Sequence, residues 1–225
     1  MSGGAAPLLA LRGVHKRYDG ADEDVLAGVD LALAPGDRIA VVGPSGSGKS
    51  TLLFLLGLLD QPTAGTVEVD GRDVAGLDDA ARSALRREHV GLVFQDHHLL
   101  PQATALDNVL LPWLADGRPG PAQVERARAL LARLGLADRA DHRPDELSTG
   151  QRQRVAVARA LARSPRVVLA DEPTGALDRA RAHDLVELLL DAPGEAAVVV
   201  VTHDLEVARR VGRVLVLRDG RLEPS

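Results

Sequence analysis

Two short stretches of this sequence carry side chains that together can move a phosphoryl group. The first is Gly43-Pro44-Ser45-Gly46-Ser47-Gly48-Lys49-Ser50-Thr51, which matches the pattern G-x-x-x-x-G-K-[ST]. Glycines at this spacing let the backbone curl so that successive N–H groups point at phosphate oxygens. The loop follows an apolar run, Arg38 to Val42, and precedes a helical pattern, Lys49 to Leu59, so a helix dipole adds its positive end to the cradle. Lys49 supplies a compact ammonium that reaches the β- and γ-phosphates, a task for which a planar arginine fork does not fit the same space. The Ser50 hydroxyl is of the kind that ligates Mg²⁺. A chance match to the constrained positions anywhere in the chain has a probability of about one in a thousand. A dinucleotide-binding fingerprint fits less well, because it needs a glycine where Thr51 stands.

The second stretch is Asp171-Glu172, which ends the apolar run Val167 to Ala170 and is followed by Pro173. Alone, two acids at a strand end are usually a solvated turn. Beside a phosphate loop they acquire distinct tasks. Asp171 can hold Mg²⁺, directly or through water. Glu172 can face an attacking water, because the pleat turns successive side chains to opposite sides.

The basic residues sharpen the reading. The chain has only two lysines, Lys16 and Lys49, and uses arginine almost everywhere else. Such a bias is typical of G+C-rich genomes, so a lysine kept against it calls for a chemical reason. The net charge is −5 with mixed signs, which argues against a dedicated nucleic-acid surface. With no cysteine there is no disulfide framework, thiolate nucleophile or Cys-based zinc site. The longest apolar run, Leu52 to Leu59, is broken by Gly57 and falls short of the roughly 20 residues that cross a bilayer. No basic, apolar, small-residue series opens the chain, so no secretion signal is expected.

These groups need a scaffold. Val29 to Leu33, Arg38 to Val42, Thr66 to Val69, Val90 to Phe94, Arg166 to Ala170, Ala197 to Thr202 and Val214 to Leu217 read as strands. Besides the helix after the phosphate loop, Gln123 to Leu134, Gln151 to Ala162 and Arg179 to Leu190 read as helices, and Gly135 is a plausible stop. Pro112 to Pro121 reads as a loose surface loop. The last strands are apolar at consecutive positions, as in a sheet covered on both faces. Strand–helix alternation at both ends with a mostly helical middle predicts an α/β core carrying a helical insert.

Leu147-Ser148-Thr149-Gly150-Gln151 resembles the L-S-G-G-Q signature of ABC ATPases. Further resemblances to that family fall in its order: Gln95, like the Q-loop glutamine; Gly175-Ala176-Leu177-Asp178, like the D-loop; His203, like the switch histidine; and Tyr18, like the aromatic that stacks on adenine. The match runs from about Leu8 to Leu222. Thr149 departs from it, standing where the signature has its first glycine, while Gly150 keeps the second. Each feature also has a local reading. Ser148 and Asp178 are good helix caps, Gln95 and His203 are common loop residues, and Tyr18 alone would be a packed surface aromatic. Trp113 reads as packing or a partner contact, and His15, His89, His97, His98, His142 and His183 show no ligand pattern.

The resemblance implies a P-loop NTPase core with a mostly parallel sheet, an N-terminal antiparallel β region and a helical insert. The core would take about 8–94 and 165–223, and the insert about 95–164. It implies ATP and Mg²⁺ as ligands and two copies packed head to tail. Each ATP would then lie between the loop Gly43 to Thr51 of one copy and Ser148, Gly150 and Gln151 of the other. Lys49, Glu172, His203 and Gln95 would serve hydrolysis, Ser50, Asp171 and Gln95 the metal, and Tyr18 the base. No membrane segment is fused, so the implied partner is a permease on a separate chain, with membrane contact only through it, at the cytoplasmic face of the inner membrane. Pro44 to Leu53, Leu58 to Gly65, Asp141-His142-Arg143-Pro144 and Ala170 to Asp178 resemble a subgroup that includes lipoprotein-release, macrolide-exporter and cell-division ATPases. Within it a transport motor and a cell-division-type regulator both stay open; a soluble ABC ATPase fits less well. Leu99-Leu100-Pro101 reads equally as part of a groove for the partner or as internal packing.

Overall fold

The computed structural model describes residues 6–175, 177, 179–191 and 194–225. It is a mixed α/β fold built on two sheets. The first is antiparallel, with strands β1 (Leu9–Lys16), β2 (Leu26–Leu33), β4 (Ala64–Val69) and β5 (Arg72–Asp73) in the order β2-β1-β4-β5. Strand β1 is not apparent in the sequence. Its pairing slips in register between Leu11 and Val14 and again at His15, so no simple apolar alternation survives.

The second sheet takes β3 (Arg38–Val42), β6 (Val90–Val93), β7 (Val167–Asp171), β8 (Ala197–Val201), β9 (Arg213–Arg218) and β10 (Arg221–Pro224). Their order is β10-β9-β3-β8-β7-β6, parallel except for the antiparallel edge strand β10. The unbroken apolar runs have the expected cause. Ile39, Val41, Leu169, Val199 and Val201 pack on one side against α1 (Lys49–Leu56) and the antiparallel sheet. Ala40, Val42, Val168, Ala170, Val198 and Val200 pack on the other side against helices α5 (Thr149–Leu161), α6 (Arg179–Leu190) and α7 (Leu205–Val211). Both faces are covered, as a parallel sheet requires.

Helix α1 lies between the two sheets and is apolar nearly all round, with Leu52, Leu53, Leu55 and Leu56 buried. It is shorter than the predicted Lys49 to Leu59, because Gly57 caps it and Leu58 takes a left-handed φ of 55°. Helix α2 (Asp79–His89) escapes periodicity analysis because it buries no residue; Asp78 starts it by accepting from the Ala81 N–H.

Between residues 95 and 164 every element is helical: α3 (Ala105–Leu110), α4 (Pro121–Arg133), α5 and three 3₁₀ turns. One of those turns, Leu111–Asp116, occupies part of the predicted loop Pro112 to Pro121. Pro112 sits in its first turn, where a missing N–H costs nothing, so proline begins a turn here and does not mark a loop.

Helix α5 reaches the edge of the parallel sheet at β6. A Cβ placed on Gly91 would stand 2.4 Å from the Ala160 carbonyl oxygen and 2.9 Å from Pro165. Gly91→Ala is therefore expected to cost about 1–3 kcal/mol by overpacking, read as a lower denaturant midpoint with an unchanged slope.

Candidate functional site

The sheet order β3-β8-β7-β6 sets four strand ends side by side, and each leads into a turn that carries one of the predicted groups. The turn after β3 is Gly43 to Gly48, that after β8 holds Thr202 and His203, that after β7 holds Glu172, and that after β6 holds Gln95. The carboxyl edge of a parallel sheet is where such folds bind ligands.

The loop itself has the form of an anion cradle. Gly46 and Gly48 have φ of 79° and 96°. A Cβ on Gly48 would lie 2.8 Å from the Val25 carbonyl oxygen, so position 48 needs glycine for space as well as for conformation. The Lys49 ammonium donates to the carbonyls of Gly43 (3.0 Å) and Pro44 (2.8 Å), which holds its charge over the loop. The Ser47 hydroxyl is buried and has no hydrogen-bond partner among the described residues. A buried orphan hydroxyl beside a cation and a ring of amides fits a phosphate oxygen as its missing partner.

Across the edge, Ser50 Oγ donates to Asp171 Oδ2 at 3.0 Å. Burial pushes the Asp171 carboxyl above the usual carboxylate range, against the lowering effect of the Ser50 hydrogen bond; Glu172 raises it further and Lys49 lowers it. A partly desolvated carboxylate bonded to a hydroxyl is a fitting pair of donors for Mg²⁺, which binds few protein groups and completes its shell with water and phosphate oxygens. Among the described residues no cluster of three or more His, Cys, Asp or Glu forms a protein-only metal centre.

Glu172 separates from Asp171 by a different route from the predicted pleat. It lies past the end of β7 with a left-handed φ of 43°. Its N–H donates to the Val201 carbonyl at 2.9 Å, its Oε2 accepts from Thr202 Oγ1 at 3.2 Å, and its Oε1 lies 2.7 Å from His203 Nδ1. Strain of this kind at a polar site is a recurrent mark of function. Gln95 is exposed and lines the same cavity of about 360 Å³ as Ser45, Lys49, Thr51, Asp171 and Glu172. Val25 and Thr202 are absent from the sequence-based set. Val25 bears no chemistry-carrying group, and Thr202 is identifiable only through its place beside His203.

Tyr18 stands at the other side of the loop helix, 42% exposed, with its hydroxyl 3.3 Å from Thr51 Oγ1. The signature residues do not line the cavity in the single chain. They open α5, where Ser148 Oγ accepts from the Gln151 N–H (3.3 Å) and Gln151 Oε1 accepts from the Ser148 N–H (2.8 Å). This reciprocal cap realises the local reading of Ser148. Thr149 sits in the first turn with its hydroxyl accepting from Arg152 at 3.0 Å, so its side chain is absorbed without a left-handed backbone. Asp178 and Ala176, from the D-loop resemblance, lie outside the described residues.

Known proteins similar to this chain are of one kind. The family model described as ABC transporter matches residues 26–175. The lipoprotein-releasing system ATP-binding protein LolD of Ruegeria pomeroyi is 51% identical over 222 residues, covering 96% of this chain and 97% of its own. The macrolide export ATP-binding/permease protein MacB of Rhodopseudomonas palustris is 49% identical over 220 residues, but this chain spans only 34% of its length. Among solved structures, a dimeric post-hydrolysis state of an ATP-binding cassette bound to ADP and Pi superposes with a TM-score of 0.86 at 41% identity, covering 96% of this chain and 98% of that one.

The Gly48 geometry gives a direct test of the loop. Gly48→Ala must adopt a disfavoured φ and push aside Val25, so it is expected to lower the melting temperature by about 3–8 °C. Calorimetric titration should show nucleotide affinity reduced in the same variant.

Proposed function

The chain belongs to the ABC transporter family, and we propose that it is the ATP-hydrolysing motor of an ABC-type transport system, working as a dimer beneath a membrane permease. The observation that carries this reading is the row of groups along one sheet edge: Lys49 over the loop, Ser50 bonded to Asp171, and Glu172 held by Thr202 and His203. Phosphoryl transfer needs little covalent help from a protein; it needs positioning and charge.

In this reading Tyr18 takes the base, and Gly43, Pro44, Ser45, Gly46, Ser47, Gly48, Lys49, Ser50 and Thr51 take the phosphates. Ser50, Asp171 and Gln95 would hold Mg²⁺, whose charge would offset that of the phosphate oxygens. Glu172 orients a water in line with the γ-phosphorus and accepts its proton as the water oxygen forms its bond to phosphorus. The bond from phosphorus to the bridging oxygen breaks, releasing ADP and inorganic phosphate. Thr202 and His203 fix the Glu172 carboxylate, and the exposed His203 ring is free to reach the γ-phosphate. The Lys49 ammonium follows the charge that grows on the transferring group.

The second copy enters through α5. The cap of that helix consumes the Gln151 and Ser148 amides and leaves those of Thr149 and Gly150 without a partner in it. Gly150 is the more telling residue. A Cβ there would make only ordinary contacts, 3.4 Å to Leu177 and 3.8 Å to Arg181, and the backbone is helical. Nothing among the described residues demands glycine at that place, so a demand from outside supports the reading. A phosphate bound to the partner copy, approaching the helix N-terminus closely, supplies one.

The permease belongs to the proposal as well. Among the described residues no helix is long and apolar enough to cross a membrane. The LolD relative is named as the ATP-binding protein of a lipoprotein-releasing system, and the MacB relative combines ATP-binding and permease functions in its name. By this likeness the chain serves an extrusion or lipoprotein-release type of system, at the cytoplasmic face of the inner membrane.

Lys49→Ala is expected to lower ATP turnover at least about 100-fold, the scale of losing one preorganised charge on the transferring group; turnover at the wild-type rate would refute the site. Glu172→Gln should still bind Mg-ATP and, unable to accept the proton, accumulate as a dimer on size-exclusion chromatography run with ATP. A monomer under those conditions would count against the paired arrangement.

A further inference from the structure

Of the two lysines in this arginine-rich chain, the phosphate loop accounts for one. The other, Lys16 at the end of β1, has a side chain only 12% exposed. Its ammonium donates to Asp60 Oδ1 at 2.7 Å and to the Gln61 carbonyl at 2.9 Å, and it lies over the Tyr18 ring, 4.9 Å from the centroid. The second Asp60 oxygen accepts from the Tyr18 hydroxyl at 3.3 Å, and Thr51 Oγ1 is 3.3 Å from the same hydroxyl. The ring is thus held by a cation on one face and by two partners at its hydroxyl, while 42% of the residue stays exposed.

The anchors of this cluster are the two ends of one helix. Thr51 is in the first turn of α1, two residues after Lys49. Asp60 closes the turn beyond its last residue, where the N–H groups of Leu59 and Asp60 both donate to the Phe54 carbonyl. The position of the Tyr18 ring is therefore tied, through α1, to the loop that cradles phosphate. Within reach of the ring a small ammonium with three donors serves Asp60, Gln61 and the π-face together.

We infer that Lys16 is a positioning residue for the nucleotide base: it closes one face of the Tyr18 ring, and with Asp60 sets that ring at a fixed distance from the phosphate loop, so that the opposite face is the platform on which an aromatic base stacks. The inference rests on the reading of Tyr18 as the base platform. It adds the device that makes a surface tyrosine rigid enough to stack productively, since ordering a free ring at the moment of binding would cost affinity.

The test compares binding of Mg-ATP and of Mg-tripolyphosphate, which has no base, to the purified chain by calorimetry. Four proteins are needed: wild type, Lys16→Met, Tyr18→Ala and the double variant. Lys16→Met should weaken Mg-ATP about five- to tenfold and leave tripolyphosphate unchanged. It should have no further effect once Tyr18 is alanine. Equal loss of both ligands, or a full Lys16→Met effect in the Tyr18→Ala background, would make Lys16 a general support of the fold and overturn the inference. So would wild-type Mg-ATP binding by Lys16→Met beside weakened binding by Tyr18→Ala. Should Tyr18→Ala itself bind Mg-ATP normally, the base-platform reading fails first. Tyr18 is the only tyrosine, so incorporated fluorotyrosine gives a single fluorine resonance, which Lys16→Met should shift or broaden; an unmoved line also overturns the inference. If Lys16→Met does not fold, Asp60→Asn, which removes the ion pair and keeps an acceptor for the phenol, carries the same expectations.

Discussion

A parallel sheet buried on both faces leaves polar chemistry only one place to go, its strand ends. In this molecule Ile39 to Val42, Val167 to Ala170 and Ala197 to Val201 are all apolar and buried, and the two faces are sealed by α1 and the antiparallel sheet on one side and by α5, α6 and α7 on the other. The carboxyl edge is therefore where Lys49, Ser50, Asp171, Glu172, Thr202, His203 and Gln95 collect, though they come from widely separated points in the chain. The Ser50–Asp171 hydrogen bond joins the first turn of α1, which follows β3, to the end of β7, with β8 lying between those two strands. Strand order thus decides which side chains can share one phosphate, and the local sequence decides only what each turn offers.

Helix α1 translates that edge into a longer site. It carries the phosphate loop at its N-terminus and Asp60 just beyond its other end, and it is wedged between two sheets by leucines on nearly every side. A helix packed in this way cannot rotate or slide without opening the hydrophobic cluster that joins the two sheets. The antiparallel sheet, through Lys16 and Tyr18, is consequently held in register with the parallel sheet that carries the acids. Packing in the core fixes a distance that matters at the surface.

The sequence makes some of this legible and hides the rest for physical reasons. The phosphate loop is readable because glycines and a lysine at fixed spacing serve one local purpose. The apolar strands β3, β7 and β8 are readable because burial on both faces erases polar residues from them. Strand β1 is not, since its register slips at Leu11–Val14 break the alternation; nor is α2, which has no fully buried residue and packs on the core only through the partly buried Leu85. The acid pair can be read as a pair. What cannot be read is the left-handed φ of Glu172, since that conformation is imposed by its N–H bond to Val201 and by Thr202 and His203, all about 30 residues away in the chain. Likewise Lys16 stands out by composition, but its contact with Tyr18 and Asp60 exists only after β1 and the end of α1 are brought together.

Several groups at this edge are held against their own preferences. Glu172 occupies a backbone region that costs a non-glycine residue roughly 1–2 kcal/mol. The Asp171 carboxyl is raised by burial. Among the described residues the Ser47 hydroxyl is buried without a partner, and the hydrogen-bond partners of the Lys49 ammonium are two carbonyls of its own loop. None of these helps the single chain fold, and a sequence selected for stability alone would replace them. A ligand that brings phosphate oxygens and a divalent cation relieves three of them together: the cation suits the carboxylate, and the oxygens suit the hydroxyl and the ammonium. The fourth, Glu172, gains nothing from binding as such, because its bonds are already made within the chain. Its strain holds a base in place for a reaction, and that separates it from the residues that merely hold the nucleotide.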